Sequence, residues 1–171
     1  MFKNKYIKYK NKYLKLKMNG GNKLLYHGSS KDLDILKPMA SKVIDGEAAV
    51  FATNAKFLAI IFIASNATDS DIDIGFIHDV PYILEQWPGA FDKFLKGRAG
   101  YLYYVNAENF HSDKRLGMHN HEFISNNDEK ILKKERIEDI YEALLKTDVN
   151  IVDYDSKMEC IYNCITNKKV S

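Results

Sequence analysis

Thiols are nearly absent from this chain: Cys160 and Cys164 are the only two, both near the C-terminus. So few exclude a disulfide-stapled scaffold and indicate a reducing compartment, the cytoplasm. Their i, i+4 spacing sets both on one face of a helix, but two thiols with no neighbouring histidine do not make a zinc site. Proline is scarce too, with three among 171 residues, which excludes long proline-rich linkers. The longest apolar run, Phe57-Leu-Ala-Ile-Ile-Phe-Ile-Ala64, is core-sized and falls well short of the roughly 18–20 residues a membrane span needs. The N-terminus has no apolar centre of the secretory kind.

Familiar catalytic signatures are missing as well. There is no phosphate-cradling glycine loop, no G-x-G-x-x-G, no G-x-S-x-G elbow and no H-E-x-x-H. His111, His119 and His121 would need a loop to bring three imidazoles together before they could hold a metal. They read as solvated loop histidines, and no metal is expected.

What the chain does have is an ordinary globular composition, 46% hydrophobic and 28% charged, too apolar for a disordered chain. The charge is unevenly distributed. The first 23 residues hold eight Lys and no acid, so of 25 basic residues 17 remain against 23 acidic ones, a net charge of −6 for residues 24–171. A region of that sign is not built to coat nucleic acid by charge alone, whereas the basic leader can. In that leader Tyr6, Tyr9, Tyr13 and Leu16 recur at helical spacing between lysines, which predicts a short basic amphipathic helix. Asn19-Gly20-Gly21-Asn22 ends it as a hinge. The chain therefore divides into a tail (1–22), a domain (23–152) and a C-terminal extension (153–171).

Within the domain, 23–30 reads as a short strand ending in a small-residue turn, and Leu33–Pro38 as an extended connection. Glu47–Thr53 reads as a buried strand, followed by a helix over Ala55–Ala64 capped by Thr53 or Asn54. Asn66–Asp73 is turn-like, Ile74–His78 a strand, and Tyr82–Gly89 begins with one helical turn. A helical segment Ala90–Lys96 is ended by Gly97. Gly100–Val105 is the clearest strand. A loop over Phe110–His121 leads into strands at His121–Ser125 and Lys130–Leu132, a helix at Ile137–Leu145 and an edge strand at Val149–Val152. Short strands with few helices, out of regular alternation, predict an α+β fold with a split, mixed or antiparallel sheet.

Three strand-borne features stand out: Tyr26-His27-Gly28-Ser29 closing the first strand, Val50-Phe51-Ala52-Thr53 in the second, and Glu122-Phe123-Ile124 in a later one. Together they resemble the ADP-ribosyltransferase superfamily of the poly(ADP-ribose) polymerase type, whose signature is His, Tyr and Glu on three separate strands. The flanking residues are similar as well: H-G-[ST] at His27–Ser29, a glycine at Gly46 before Phe51-Ala52-Thr53, an alanine at Ala59 in the following helix, and Glu-[YF]-[IV] at Glu122. Residues 23–152 also resemble small uncharacterised bacterial proteins with Y-H-G-S, Y-A-T and P-x-A-F features, here Trp87-Pro-Gly-Ala-Phe91. The chain departs from the pattern at the tyrosine position, taken by Val50 or Phe51 according to alignment, and at Leu58, where a serine is usual.

The resemblance implies an enzyme that cleaves the nicotinamide–ribose bond of NAD, used as a substrate without a metal, and transfers ADP-ribose to a protein or nucleic-acid acceptor. It implies that Glu122 and His27 are catalytic, with His27 also holding the ribose 2′-hydroxyl and Gly28 presenting backbone to the nicotinamide amide. Phe51 would stack on the ring and Ser29 add a hydrogen bond. The segment before Glu122, with Lys114, Arg115, His119 and His121, would select the acceptor. An RNA 2′-phosphotransferase-like reaction and a non-catalytic nucleotide-binding or virion-associated module are the alternatives. The Tyr-Lys-Tyr-Lys leader before Gly-Gly is similar to N-terminal segments of giant DNA virus proteins. That similarity implies host-cell cytoplasm or a virion, with the tail contacting RNA, a membrane surface or virion components.

Overall fold

The computed structural model describes residues 24–64, 67–77, 79–118 and 120–159. The tail helix, His78, His119 and both cysteines lie outside the described residues. Leu24–Ser29 forms β1, Ile35–Leu36 β2, Met39–Ala40 β3 and Ala48–Thr53 β4, with a 3-10 turn at Lys42–Ile44. Ile72–Ile77 is β5, Val80–Glu85 β6, Gly100–Asn106 β7, Glu122–Ser125 β8, Glu129–Ile137 β9 and Asn150–Val152 β10. The α-helices are short: α1 Lys56–Ile61, α2 Ala90–Phe94 and α3 Ile140–Leu144.

Among the described residues these strands make a seven-stranded sheet in the order β2-β9-β7-β1-β4-β3, with β8 also on β4, and a three-stranded sheet β10-β6-β5. All pairs are antiparallel except β10 with β6. The fold is α+β. The β7 sequence, GYLYYVN, is aromatic and β-branched, which suits a strand with neighbours on both edges, and β1 and β9 flank it. Tyr103 is fully buried there, and its hydroxyl donates to Lys31 O at 2.7 Å and accepts from Leu33 N at 2.7 Å.

The core lies on both sides of this sheet. On one side α1 buries Phe57, Leu58, Ala59, Ile60 and Ile61 against Leu102, Ile137 and Ile140; each large side chain so buried contributes roughly 1.5–3 kcal/mol. On the other side Leu25, Leu36, Val50, Ala52, Tyr103 and Val105 form a second cluster. A third, smaller one joins Ile44, Ala49, Leu116 and Ile124, with Phe51 against it.

Several local expectations are corrected. Tyr82–Gly89 does not begin as a helical turn: Val80–Glu85 is a strand, paired with β5 from Ile77↔Val80 to Ile72↔Glu85. Asp79 makes the connection with φ of 66°, a left-handed conformation that Asp tolerates better than most residues. Pairing on both edges of β6 overrides the weak local pattern. Helix α1 is shorter than Ala55–Ala64 and has no side-chain cap; its N-cap is Ala55, whose N–H is taken by Thr53 Oγ1 at 3.0 Å. Ile137 belongs to β9, and α3 begins only after Asp139, whose carboxylate accepts from Glu142 N at 3.0 Å and Gly97 N at 2.7 Å. Strand β9, Glu129–Ile137, runs for nine residues and so extends well beyond Leu132 on the C-terminal side. Its solvated Lys133-Lys134-Glu135-Arg136 stretch, polar at every position, nevertheless pairs along β7.

The candidate site at the opening between two strands

Strand β1 pairs along β7 at every residue but meets β4 only at Tyr26↔Thr53. Beyond that point β4 is drawn towards β8, with Val50↔Ser125 through Thr53↔Glu122, and towards β3. The sheet therefore opens where His27, Gly28 and Ser29 end β1.

His27 spans the opening. Its Nδ1 lies 2.7 Å from Phe51 O. A carbonyl can only accept, so Nδ1 carries the proton and Nε2 of the neutral ring is left as an acceptor. Burial lowers the His27 pKa below the ordinary 6.5, opposed by the bond to Phe51, so the ring is neutral at pH 7.

Gly28 is in the tightest contact of the site. A Cβ placed there would lie 1.7 Å from Ala59 O, a backbone atom of α1. Helix α1 starts shortly after β4 and crosses β1 so closely that only glycine fits. The glycine thus has a packing reason of its own, separate from the ligand approach that its sequence context suggests.

A cavity of about 480 Å³ sits in the opening, lined by Tyr26, His27, Gly28, Ser41, Val43, Phe51, Ala52, Thr53, Phe62 and Glu122. Of the site residues anticipated from sequence, His27, Gly28, Phe51 and Glu122 therefore share one cavity. Of Val50 and Phe51, Val50, 3% exposed, packs into the second core cluster, while half-buried Phe51 lines this cavity beside His27. Ser29 is not among the lining residues. It faces an adjoining recess of about 600 Å³ with Asp32, Ile35, Met39 and Phe62, and its hydroxyl accepts from Lys31 N at 3.1 Å. Sequence reasoning missed Val43 and Phe62, and Met39 in the recess. These are large apolar side chains left 56%, 38% and 70% exposed, and local sequence holds nothing to separate them from core residues.

Glu122 is half-buried at the start of β8. Its Oε2 accepts from Met118 N at 3.0 Å, and Met118 O accepts from Glu122 N at 2.9 Å and His121 N at 2.7 Å. The buried carboxylates elsewhere are consumed structurally. Glu85 accepts from Phe91 N at 2.9 Å and Tyr154 N at 3.0 Å, and Glu129 accepts from Ser125 Oγ at 2.5 Å. Glu122 differs from them in bordering a cavity.

Of the side chains before Glu122 named from sequence, Lys114 is exposed, whereas Arg115 and His121 are engaged within the fold. Arg115 forks onto Asp113, Asp45 and Glu47. His121 stacks on Phe76, centroids 3.9 Å apart, and its Nδ1–H donates to Asn54 Oδ1 at 3.0 Å; burial lowers its pKa. Among the described residues no three His, Cys, Asp or Glu side chains are grouped to hold a metal ion, and no helix is long and apolar enough to cross a membrane.

Comparisons with protein-family models, with curated proteins and with solved structures find no match to this chain.

Proposed function

We propose that the opening between β1 and β4 binds NAD and that the chain is an ADP-ribosyltransferase-like enzyme. The observation that carries the reading is the convergence of His27, Gly28, Phe51 and Glu122 on one cavity of about 480 Å³, a volume within the range of small-molecule sites. Phe51 and Glu122 lie 24 and 95 positions beyond His27 in the chain.

In this reading the nicotinamide ring enters beside Phe51, whose face stacks on it. A ribose hydroxyl donates to the free Nε2 of His27, whose protonated Nδ1 is committed to Phe51 O. As the C1′–nitrogen bond breaks, its electron pair leaves with nicotinamide and positive charge builds on the ribose. The Glu122 carboxylate stabilises that charge. The acceptor nucleophile then bonds C1′ and gives up its proton. The adjoining recess, with its apolar Ile35, Met39 and Phe62, takes the remainder of the dinucleotide.

Purified protein incubated with NAD should release nicotinamide, and Glu122→Gln should cut the rate on the order of 10²–10³ while the melting temperature holds. Absence of both turnover and NAD binding would sink the reading.

A second reading has its own support. The Glu122 carboxylate already closes the 118–122 turn through Met118 N; if that is its only task, the cavity is a non-catalytic nucleotide-binding pocket. NAD binding without nicotinamide release distinguishes this case. Nothing favours the RNA 2′-phosphotransferase alternative: Arg98 donates to Lys93 O, Arg115 to Asp113 and Glu47, and Arg136 pairs with Glu138.

A further inference from the structure

Two segments far apart in sequence bear on the cavity, one by lining it and one by holding Glu122 at its edge. The turn at 41–47 supplies Ser41 and Val43 to its lining, and the loop at 113–118 ends at Met118, whose N–H holds the Glu122 carboxylate. Arg115 joins them. Its Nη1 donates to Glu47 Oε1 at 3.0 Å, Asp45 Oδ2 at 3.3 Å and Ile44 O at 3.3 Å. Its Nη2 donates to Glu47 Oε2 at 3.1 Å and Asp113 Oδ2 at 2.7 Å, and Nε to Asp113 Oδ1 at 3.1 Å. Beneath it Ile44, 0% exposed, and Leu116, 3% exposed, pack with Ala49 and Ile124.

We propose that Arg115 is a positioning residue: its fork onto Glu47 and Asp113 locks the 41–47 turn to the 113–118 loop, so that the cavity wall and the turn holding Glu122 loosen or tighten as one unit. A planar guanidinium can satisfy three carboxylates and a carbonyl at once; a lysine ammonium keeps the charge but loses the fork. Arg115 holds the Asp113 carboxyl down at about 2 and lowers that of Glu47, so both partners of the fork are carboxylates at neutral pH. The fork is exposed, however, and salt screens it. The wall therefore responds to ionic strength. The coupling of the two segments is independent of what the cavity binds; its effect on a nicotinamide ligand rests on the NAD reading.

Native-state hydrogen exchange on the full chain tests this. Arg115→Gln should speed exchange of 41–47 and 113–118 together, roughly fivefold, with β7 and β9 unchanged. Glu47→Gln should do the same to a smaller degree, and the double variant should exceed Arg115→Gln only slightly, because both remove one interaction. Arg115→Lys should fall between wild type and Arg115→Gln. Molar salt on the wild type should mimic Arg115→Gln, which keeps the test open if a variant folds poorly. Acceleration of one segment alone, or additive effects of the two substitutions, would overturn the lock. In parallel, nicotinamide should bind Arg115→Gln several-fold more weakly than wild type. Segments that loosen together in a protein that neither binds NAD nor releases nicotinamide from it would leave the lock standing and remove the NAD reading.

Discussion

Strand β1 has two unlike edges. Along β7 it is paired at every residue, from Leu24 opposite Asn106 to Ser29 opposite Tyr101, while along β4 the pairing is confined to Tyr26 opposite Thr53. The closed edge anchors the strand in the core, and the open edge makes a cavity bridged by one imidazole. The same short segment, Tyr26–Ser29, therefore serves packing at one edge and a site at the other. A residue there is informative according to which of the two a substitution damages.

The largest effect is expected from Gly28→Ala. Its Cβ would collide with the Ala59 carbonyl, backbone that cannot swing away, so α1 must lift from β1. A loss of at least about 3 kcal/mol is expected in chemical denaturation. A stable Gly28→Ala variant would mean that α1 does not rest on this strand. On the proposed NAD reading, Glu122→Gln should do the opposite, holding stability while nicotinamide release slows. Equal loss of both would move Glu122 from the open edge to the structural set with Glu85 and Glu129.

His27→Gln sits between these extremes. It removes the bridge to Phe51 O and should cost on the order of 1 kcal/mol in stability, with a larger proportional loss in NAD affinity if Nε2 holds the ribose. The wild type should also lose stability on acidification. The His27 and His121 pKa values are lowered by burial, so below the ordinary 6.5 the unfolded chain binds more protons than the folded one. Stability is then full above about pH 6.5 and falls as the pH drops towards the folded values. Thermal melts against pH should flatten partly in His27→Gln; an unchanged slope would assign the effect elsewhere. The smallest effect is expected from deleting residues 1–21, a lysine-rich stretch ahead of Gly-Gly, which should shift the melting temperature by no more than about a degree. A larger drop would mean that the tail packs against the domain.

Much of the sheet is legible in the chain itself. The GYLYYV and AAVFAT runs announce buried strands by β-branched and aromatic content, whereas His27-Gly28-Ser29, whose small residues suggest a turn, stays in β1 and pairs along β7. The hairpin of β5 and β6 is not legible in this way. Val80-Pro-Tyr-Ile-Leu-Glu alternates poorly, Pro81 weakens a strand assignment, and only its partners on both edges make it extended. Nor is the length of β9, whose Lys- and Glu-rich half pairs through backbone that side-chain patterns do not report.

Local residue chemistry and apolar periodicity are enough to specify the α+β class and an acidic domain behind a basic leader. They also set His27, Gly28, Phe51 and Glu122 on strands. Non-local packing decides the remainder. That Phe51 and not Val50 lines the cavity follows from which face of β4 meets the core. That Gly28 cannot carry a side chain follows from the path of α1. That Arg115 is paired with Asp45 and Glu47 follows from a distant turn that brings these carboxylates to it. Each depends on strand register and on the close contact of separate segments, which no window of sequence contains.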